Sequence, residues 1–400
     1  MNQTDCRSEP KLSLDIGNYS SIEHTNTPTP TPVSKDAASS PQIQSTTSLN
    51  QFDVVKVLGQ GGYGKVYLVR QKDTSKLYAM KVLKKASLII HKKTIEHTKS
   101  ERQILSQLDH HFIVTLHYAF QTPDRLCLIL QYAPGGSLFG YLAQEIMFSE
   151  TVASFYIGEV LLALEHLHGL GIIYRDLKPE NVLLDEEGHV LLTDFGLSKV
   201  ALETRTVCGT IEYMAPEVLD ESVLYGVAVD YWSLGVMLFD LVTGRPPFRG
   251  PNRRKVMESI ILNKPKYPNF MSSQAVALVK GLLNKKPDKR IGCGPLGALE
   301  VKQHAFFRKM DWILLAERKG VPPITPELVD MNGSKASDAE IKGGQNPFNL
   351  LGSSTNIQGN SLLSESAIPL EYRDKKNKDS TSHFEGFSFV AAIPNHQHQS

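Results

Sequence analysis

Apolar and polar residues follow one another along the first part of the chain in a way that predicts short β-strands. Between 52 and 130, apolar runs are separated by turn residues, and the clearest runs lie at 52–58 and 66–69. The exception is 94–108, where apolar residues recur at spacings near three and four and predict an α-helix. This part of the chain is therefore expected to form a small, mainly β lobe.

Helical spacing takes over after the turn-rich segment 131–136. Apolar residues along 152–167 form one long stripe, and 229–243 is apolar on nearly every side, which predicts a buried helix. The pattern predicts an α+β fold, in which a small β-rich lobe at 52–130 is joined by an extended hinge at 131–136 to a larger helical lobe at 137–307.

Two terminal segments lack these patterns. Residues 1–51 are rich in Ser, Thr, Pro, Asn and Gln and bury too little apolar surface to order themselves, so a disordered tail is expected. Its Thr-Pro pairs and Ser40-Pro41 are candidate sites for proline-directed phosphorylation, with an inert solvated tail as the alternative. Residues 308–400 form a second tail, in which the aromatic cluster 384–389 stands out from polar surroundings.

The composition excludes several classes of protein. A formal net charge of +1 over 400 residues argues against a dedicated nucleic-acid binder. No apolar run approaches the ~20 residues of a membrane span, and the N-terminus lacks the apolar region of a signal peptide. The four cysteines are scattered without metal-binding spacing, which favours reduced thiols and a cytoplasmic or nuclear location.

The strongest chemical signal is the octapeptide at 174–181, Tyr-Arg-Asp-Leu-Lys-Pro-Glu-Asn, followed by an apolar strand and the Asp-Phe-Gly that begins at Asp194. Asp176 is a candidate to accept a hydroxyl proton, and Lys178 a candidate to stabilise transferred charge. Asn181 and Asp194 offer oxygen ligands of the kind that magnesium prefers. Phosphoryl transfer needs these four roles in this order, whereas an ordinary polar loop would not be followed by a buried strand and Asp-Phe-Gly.

A glycine-rich loop lies upstream, between two predicted strands. Its glycines are Gly59, Gly61 and Gly64, and the strand that follows begins at Val66. The same glycine spacing marks dinucleotide-binding turns, but there the glycines open a helix. A strand after the loop fits a backbone that covers ATP phosphates, which a bulky side chain at any of these glycines would hinder. An ordinary glycine hairpin is the alternative.

Lys81, in the predicted strand that contains Tyr78, is suited to neutralise nucleotide phosphates. A buried lysine needs a carboxylate partner, and Glu101 in the predicted helix 94–108 is the candidate. Such an ion pair would support the fold and act as a switch, because rotating the helix would break it. The alternative for Glu101 is a solvated helix charge.

Together these motifs resemble those of eukaryotic protein kinases, and the match covers roughly 52–307. The segment 206–217, Thr-Val-Cys-Gly-Thr-Ile-Glu-Tyr-Met-Ala-Pro-Glu, strongly resembles the activation segment of the AGC group, for which Tyr174 before Arg-Asp is also typical. Within that group, the sequence Ile-Glu-Tyr-Met-Ala-Pro-Glu at 211–217 is most similar to that of the TOR-regulated ribosomal-protein kinases, of fungal type.

The resemblance implies a two-lobed kinase fold that uses ATP and Mg²⁺ to phosphorylate Ser or Thr of protein substrates. It implies that Leu130 is the gatekeeper, that Thr210 hydrogen-bonds within the catalytic site and that Glu217 pairs with Arg290 as a structural link. The residues implied to contact ATP are Leu58, Gly59, Gly61, Gly64, Val66, Ala79, Lys81, and, through their backbones, Gln131 and Ala133.

Two phosphorylation sites follow from the same resemblance. A phosphate on Thr206, added by an upstream activating kinase, is expected to order the segment by charge-assisted hydrogen bonds. The groups expected to hold it are Arg175, Lys199 and His97. The cluster 384–389 resembles the AGC hydrophobic motif, which folds back onto the small lobe and steadies the helix carrying Glu101. A TOR-type kinase is expected to phosphorylate Ser388 in this motif.

Substrate preference is expected to depend on Glu180 and Asp240, which lie where AGC kinases place carboxylates for substrate arginines. Ser137 replaces the glutamate that usually follows the hinge glycines, and this weakens the expectation of an arginine three residues before the acceptor. The expected partners are protein substrates, with a ribosomal protein as one candidate, and the protein is expected to act as a monomer.

Two departures bear on the branch assignment, and another AGC branch with different substrates is therefore an alternative. The stretch from Asp194 to Thr206 is several residues shorter than in the ribosomal-kinase branch, and the expected turn-motif phosphosite falls at Leu370. The serines that could substitute for it are Ser361, Ser364 and Ser366. A pseudokinase scaffold and a nucleotide-dependent oxidoreductase are further alternatives; the complete catalytic set argues against the first and the strand after the glycines against the second.

Overall fold

The computed structural model describes residues 47–60, 64–89, 92–206, 208–220, 222–327 and 384–391. Several predicted sites therefore lie outside the described residues, namely Ser40, Gly61, Ser361, Ser364, Ser366 and Leu370.

A six-stranded antiparallel sheet forms the small lobe. Its strands are β1 (Phe52–Gln60), β2 (Gly64–Gln71), β3 (Leu77–Lys84), β4 (Leu116–Gln121), β5 (Arg125–Gln131) and, from the tail, β11 (Phe389–Val390). They lie in the order β1-β2-β3-β5-β4-β11. The strands predicted at 52–58 and 66–69 correspond to β1 and β2, which extend further than the apolar runs because their ends are held by backbone pairing.

Both faces of this sheet are covered, which explains why β5 is a nearly continuous apolar run. Successive strand residues point to opposite faces. Cys127 and Ile129 belong to an outer cluster that contains four buried aromatic residues, whereas Leu126, Leu128 and Leu130 belong to the main core. The main core also includes residues of the larger lobe, so this second face of the sheet looks onto the cleft between the lobes.

The predicted helix at 94–108 is α2 (Lys92–Leu105), which follows the short helix α1 (Lys85–Ile89). Its C-terminal end is earlier than predicted, because the amide of Gln107 bonds to the carbonyl of Ile104, three residues back, and closes the last turn. Leu108 remains buried although it lies beyond the helix. Apolar spacing therefore continued past the point where helical hydrogen bonding stops.

The larger lobe is mainly helical. Its helices are α3 (Leu138–Glu145), α4 (Glu150–Gly169), α5 (Ala228–Thr243), α6 (Arg253–Leu262), α7 (Ser273–Leu282), α8 (Ala298–Lys302) and α9 (Trp312–Ala316). Every residue of α5 from Val229 to Val242 is buried, so the predicted buried helix is confirmed. None of the helices in the described ranges is both long and apolar enough to span a membrane. The α+β, two-lobed architecture is confirmed.

Two small sheets position the loops between α4 and α5. In the first, β6 (Gly136–Ser137), β8 (Val182–Leu184) and β9 (Val190–Leu192) lie in the order β6-β8-β9. In the second, β7 (Ile172–Ile173) pairs with β10 (Lys199–Val200). The octapeptide at 174–181 therefore connects β7 to β8, and Asp194 follows β9.

The last residues of the segment 1–51, which was expected to form a disordered tail, have regular structure. Leu49–Gln51 form a 3-10 turn, and the backbone amide of Ser48 donates to Gln51 Oε1 at 3.2 Å. Leu49 packs against the outer cluster of the sheet, so these residues bury apolar surface that the polar composition of 1–51 as a whole conceals.

Candidate active site

Four hydrogen bonds hold the carboxylate of Asp176 in the loop between β7 and β8. Oδ1 accepts from the backbone amide of Thr210 at 3.1 Å and from its hydroxyl at 3.2 Å. Oδ2 accepts from Lys178 Nζ at 2.8 Å and from Asn181 Nδ2 at 2.9 Å. Lys178 Nζ also donates to the Thr210 hydroxyl at 2.7 Å, which closes a ring of contacts. The structure thus brings together three residues of the octapeptide at 174–181 and Thr210 of the segment 206–217.

Asp230, at the start of α5, holds the backbone of the loop between β7 and β8 in place. Its carboxylate accepts from the backbone amides of Tyr174 at 2.9 Å and Arg175 at 2.8 Å, and it lies 2.8 Å from His168 Nε2. These bonds hold Arg175 at a positive φ of 72°, a conformation that costs energy for a non-glycine residue. Sequence reasoning missed Asp230, although an isolated acid in an otherwise apolar helix was a usable signal.

Lys81 on β3 makes the predicted ion pair with Glu101 on α2. Its Nζ lies 2.7 Å from Glu101 Oε1 and 3.1 Å from Asp194 Oδ1, so it joins the small lobe to the Asp-Phe-Gly segment. Burial by itself would lower the pKa of Lys81, but the two carboxylates raise that pKa above its usual value. Lys81 in turn lowers the pKa of Asp194. Lys81 is therefore positively charged at neutral pH, and its ammonium group is placed where it could contact anionic oxygens.

The predicted ATP-contacting residues of β2 and β3 share one face of the sheet. Val66 pairs directly with Lys81, and Ala79 pairs with Leu130 on β5. Directly paired residues of antiparallel strands, and residues two apart on one strand, point to the same face. Val66, Ala79 and Lys81 therefore lie on one face of the sheet, as their predicted contacts with one nucleotide require.

Two glycines of the loop, Gly59 and Gly64, differ in how much space a side chain would have. A Cβ at Gly59 would have no heavy atom within 4 Å, so this position is open on the ligand side. A Cβ at Gly64 would lie 2.0 Å from the carbonyl oxygen of Val82. Gly64 is therefore required for β2 to approach β3, and the expectation that a side chain there would also hinder the phosphates stays a prediction.

The remaining predicted nucleotide contacts lie at the hinge side of the cleft. Leu58 is half-buried near the end of β1, and Ala133 is buried just after β5. Gln131 ends β5, and its amide donates to the carbonyl of Thr115 at 2.9 Å. The backbone at this edge thus runs extended past the same face that carries Ala79, as a bound base would require.

Asn181 and Asp194 are suited to hold a magnesium ion. The amide NH₂ of Asn181 donates to the backbone carbonyl and to the carboxylate of Asp176, each at 2.9 Å, which leaves its amide oxygen as the possible ligand atom. Within the described residues, no group of three or more His, Cys, Asp or Glu could hold a metal by itself. Two protein oxygens completed by phosphate oxygens and waters are the usual arrangement for magnesium.

The groups expected to hold a phosphate on Thr206 are only partly assembled. Arg175 Nε donates to the carbonyl of Leu197 at 2.5 Å, while its buried Nη1 has no hydrogen-bond partner in the described part of the chain. Lys199 Nζ donates to the hydroxyl of Thr204 at 3.0 Å, and that hydroxyl lies 3.4 Å from the hydroxyl of Thr206. Sequence reasoning missed Thr204, whose hydroxyl accepts the hydrogen bond from Lys199.

The predicted pair of Glu217 and Arg290 is present and fully engaged. Arg290 Nη1 lies 2.6 Å from Glu217 Oε1, and Nη2 lies 3.0 Å from Oε2. Arg290 also donates to the carbonyls of Ala228 and Asn284 and stacks on Trp232. Each nitrogen of the guanidinium therefore has an acceptor, which makes this pair a firm structural link in the interior.

The two predicted substrate carboxylates differ in their surroundings. Glu180 is exposed, whereas Asp240 is buried on α5 and accepts a hydrogen bond from the Tyr213 hydroxyl at 2.5 Å. Burial raises the pKa of Asp240 to about 6, and the charge of Glu180 adds to this rise. Ser137, which replaces the usual glutamate, accepts from the amide of Gly140 at 3.3 Å and caps α3 instead.

The aromatic cluster of the tail lies against the small lobe. Phe384 and Phe387 are buried, and β11 adds to the free edge of β4. Arg102 on α2 donates to the carbonyls of Phe387 at 3.0 Å and Ser388 at 2.7 Å, and its guanidinium lies over the ring of Phe389. The Ser388 side chain is exposed. The cluster is therefore tied to the helix that carries Glu101.

Comparison with known proteins gives a match over the same residues. The family model described as "Protein kinase domain" matches residues 52–307. Ribosomal protein S6 kinase beta of Caenorhabditis elegans is 49% identical over 297 residues, which cover 72% of this chain and 54% of that protein. Ribosomal protein S6 kinase 2 alpha of Gallus gallus is 49% identical over 299 residues, 73% of this chain and 39% of that protein.

Ribosomal protein S6 kinase alpha-1 of Homo sapiens is 47% identical over 299 residues, which cover 73% of this chain and 40% of that protein. The chain thus spans between 39% and 54% of the length of these three relatives. The shared part includes every residue described above between β1 and α8.

Proposed function

Because this chain belongs to the protein kinase domain family, we propose that it transfers the γ-phosphoryl group of ATP to serine or threonine hydroxyl groups of proteins. The observation that carries the proposal is the carboxylate of Asp176, fixed by Lys178, Thr210 and Asn181. A scaffold without catalysis would have no need for that fixed geometry or for the Lys81–Glu101 pair. The same completeness supports catalysis over the pseudokinase alternative.

In the reaction, Asp176 orients the acceptor hydroxyl and accepts its proton. Lys178, which contacts both Asp176 and Thr210, places its positive charge where the transferred group gains negative charge. Lys81 binds phosphate oxygens, and Glu101 fixes its position. Asn181 and Asp194 would hold magnesium, which would neutralise charge on the phosphates.

Transfer of radiolabelled phosphate from ATP to a mixture of serine- and threonine-containing peptides tests this function. Asp176→Asn keeps the size of the side chain but removes the carboxylate, and it is expected to lower kcat by about 10²-fold or more. Its folding should be unchanged, as judged by circular dichroism. Equal activity of the variant and the wild type would contradict the assignment of Asp176, and no transfer by the wild type, once phosphorylated on Thr206, would contradict the function.

Activation is proposed to require a phosphate on Thr206, added by an upstream kinase. The buried Nη1 of Arg175 and the nearby Lys199 support this, since one lacks a partner among the described residues and the other is bound only by a neutral hydroxyl. Thr206→Ala is expected to lose most of the activity while still binding ATP, because the site for the nucleotide is separate. Full activity of Thr206→Ala in a peptide assay would contradict this role.

The S6-kinase relatives support a narrower proposal about physiology. The protein phosphorylates a ribosomal protein at residues preceded by arginine, acts as a monomer in the cytoplasm with the nucleus as a second compartment, and is activated at Ser388 by a TOR-type kinase. The exposure of Ser388 and the carboxylates of Glu180 and Asp240 support it. The fungal origin stays a prediction.

Phosphopeptide mapping of Thr206 and Ser388, with and without inhibition of TOR, tests the regulatory part of this proposal. Phosphate on Ser388 is expected to disappear under the inhibitor. A peptide array tests the substrate part, and equal rates for peptides with and without upstream arginine would contradict it.

A further inference from the structure

A cavity lies in the larger lobe, outside the candidate active site described above. It has a volume of about 510 Å³ and is bounded by the end of α4, the start of α5, the loop before α8 and the chain at 202–203. None of the residues assigned above to ATP, magnesium or the acceptor hydroxyl lines it.

The lining of this cavity carries one sign of charge. Four carboxylates line it, and no Lys or Arg is found among the described residues that do so. Glu217 and Glu165 are already paired, with Arg290 and Lys302 respectively. The other two are Glu203 and Asp288, which are exposed and make no ion pair within the described chain. They therefore leave a negative potential at the mouth of the cavity.

A buried polar group lacks a partner at the same place. His168 lines the cavity, and its side chain is only 10% exposed. Its Nε2 bonds to Asp230, whereas its buried Nδ1 has no partner among the described residues. A neutral imidazole that donates through Nε2 has an acceptor at Nδ1, so this group would be satisfied by a donor such as a guanidinium.

The rest of the lining is apolar and partly exposed. Leu202 is 87% exposed and Leu224 46% exposed, and both line the cavity beside the rings of Tyr225 and Tyr231. Large apolar side chains left in water next to a concave site are typical of surfaces that bind a partner. Leu202 and Leu224 line the same cavity as the unpaired carboxylates. A ligand that complements this surface would combine positive charge with apolar groups.

We propose that this cavity, lined by Glu203, Asp288, His168, Leu202 and Leu224, is a docking site for a segment of a partner protein in which arginine alternates with leucine-like residues. The guanidinium enters between the two carboxylates, and the flanking apolar side chains cover Leu202 and Leu224. The size of the cavity fits one or two side chains rather than a folded domain. The inference does not depend on phosphoryl transfer.

The test uses the full chain without nucleotide and a labelled nine-residue peptide of alternating arginine and leucine, which has no acceptor hydroxyl. Fluorescence anisotropy is expected to show binding that weakens with added salt. The double variant Glu203→Gln/Asp288→Asn should bind about fivefold or more weakly, as expected for the loss of two partly exposed ion pairs. A peptide with aspartate in place of arginine should not bind.

The matched control is Glu96→Gln/Glu186→Gln, which removes two exposed carboxylates outside the cavity and should bind as the wild type does. Leu202→Ser tests the apolar part and should also weaken binding. A benzophenone group on the peptide should cross-link to 202–203, 224–228 or 287–298.

Any of the following results would overturn the proposal. The first is the absence of binding, and the second is equal loss of binding in the cavity variant and the control. The third is cross-linking near Glu180 and Asp240, which would mean that the peptide occupies the predicted substrate site. The fourth is a dimer in light scattering that the cavity variant dissociates, or competition by free arginine as strong as by the peptide, since either would identify a different occupant.

Discussion

At the scale of single residues, two aspartates on one apolar helix show how surroundings decide the role of a carboxylate. Asp230 accepts from two backbone amides and contacts His168, so its charge is satisfied in the interior. Asp240, ten residues later, is bonded by the Tyr213 hydroxyl and lies near another acid. The first fixes the loop that carries Asp176, whereas the second is predicted to contact a cationic substrate side chain when it is ionised.

The raised pKa of Asp240 predicts a pH-dependent preference for arginine. With a pKa of about 6, the carboxyl group is ionised at pH 7.5 and mostly neutral at pH 5.5, so its attraction for arginine is present above that pKa and is lost as the pH falls. KM for a peptide with upstream arginines should rise about fourfold between these values, following the ionised fraction. Steady-state kinetics on paired peptides with and without arginine measure the effect.

Asp240→Asn is the control for that prediction. It keeps a hydrogen-bond acceptor for Tyr213 and cannot ionise, so its KM for the arginine peptide should be high and nearly independent of pH. If the variant and the wild type showed the same pH profile, the titration would belong to another group.

At the scale of elements, the position of α2 depends on a strand from the far end of the chain. β11 pairs with β4, and Arg102 on α2 bonds to two carbonyls of the same tail segment. The residue before Arg102 is Glu101, the partner of Lys81. The tail therefore holds the helix in the orientation that keeps the ion pair together.

Phe387→Ala is expected to release the tail and lower activity. Removing a buried phenylalanine costs about 3–5 kcal/mol, which is more than a docked segment of this length would be expected to withstand. Hydrogen exchange should then speed up along β4 and α2, and kcat/KM should fall several-fold. Val390→Ala, in β11 of the same tail segment but 59% exposed, is the matched control and should change neither. Unchanged exchange in Phe387→Ala would mean that the tail does not support α2.

At the scale of the whole molecule, the candidate site belongs to neither lobe alone. Lys81 and Glu101 come from the small lobe, while Asp176, Asn181 and Asp194 come from the larger one. The direct contact between them in the described residues of the site is the bond from Lys81 to Asp194, at 3.1 Å. A ligand that binds residues of both lobes should therefore stabilise the native molecule as a unit.

Magnesium and ATP together should raise the melting temperature. At 100 times the Kd, a ligand that binds only the native state stabilises it by about 2.7 kcal/mol, which corresponds to roughly 5 °C or more for a domain of this size. Differential scanning fluorimetry measures the shift. EDTA should remove most of it, Asp194→Asn should reduce it, and NAD should give none. A shift with NAD but not with magnesium and ATP would favour the oxidoreductase alternative.

Features that depend on neighbouring residues in the sequence were predicted well, whereas contacts between distant segments were predicted less well. The buried helix at 229–243 and the strands at 52–58 and 66–69 were predicted because apolar spacing is a local property. The end of α2 was predicted three residues late, since the spacing continues to the buried Leu108 after helical bonding has ended. Thr204 as a partner of Lys199 was missed, because nothing in a polar loop states which of its hydroxyl groups a lysine will meet.

The sequence by itself determined the two-lobed α+β class and the set of side chains available for phosphoryl transfer, because both depend on patterns and motifs within short stretches of chain. The tertiary structure decided contacts that no motif indicated: Asp230 with the amides of Tyr174 and Arg175, Lys199 with Thr204, and Arg102 with the carbonyls of the tail. It also decided that Gly64 serves strand packing and that Ser137 caps a helix. Such partners depend on how elements that are distant in sequence pack against one another. A local sequence pattern does not determine the distances between those elements.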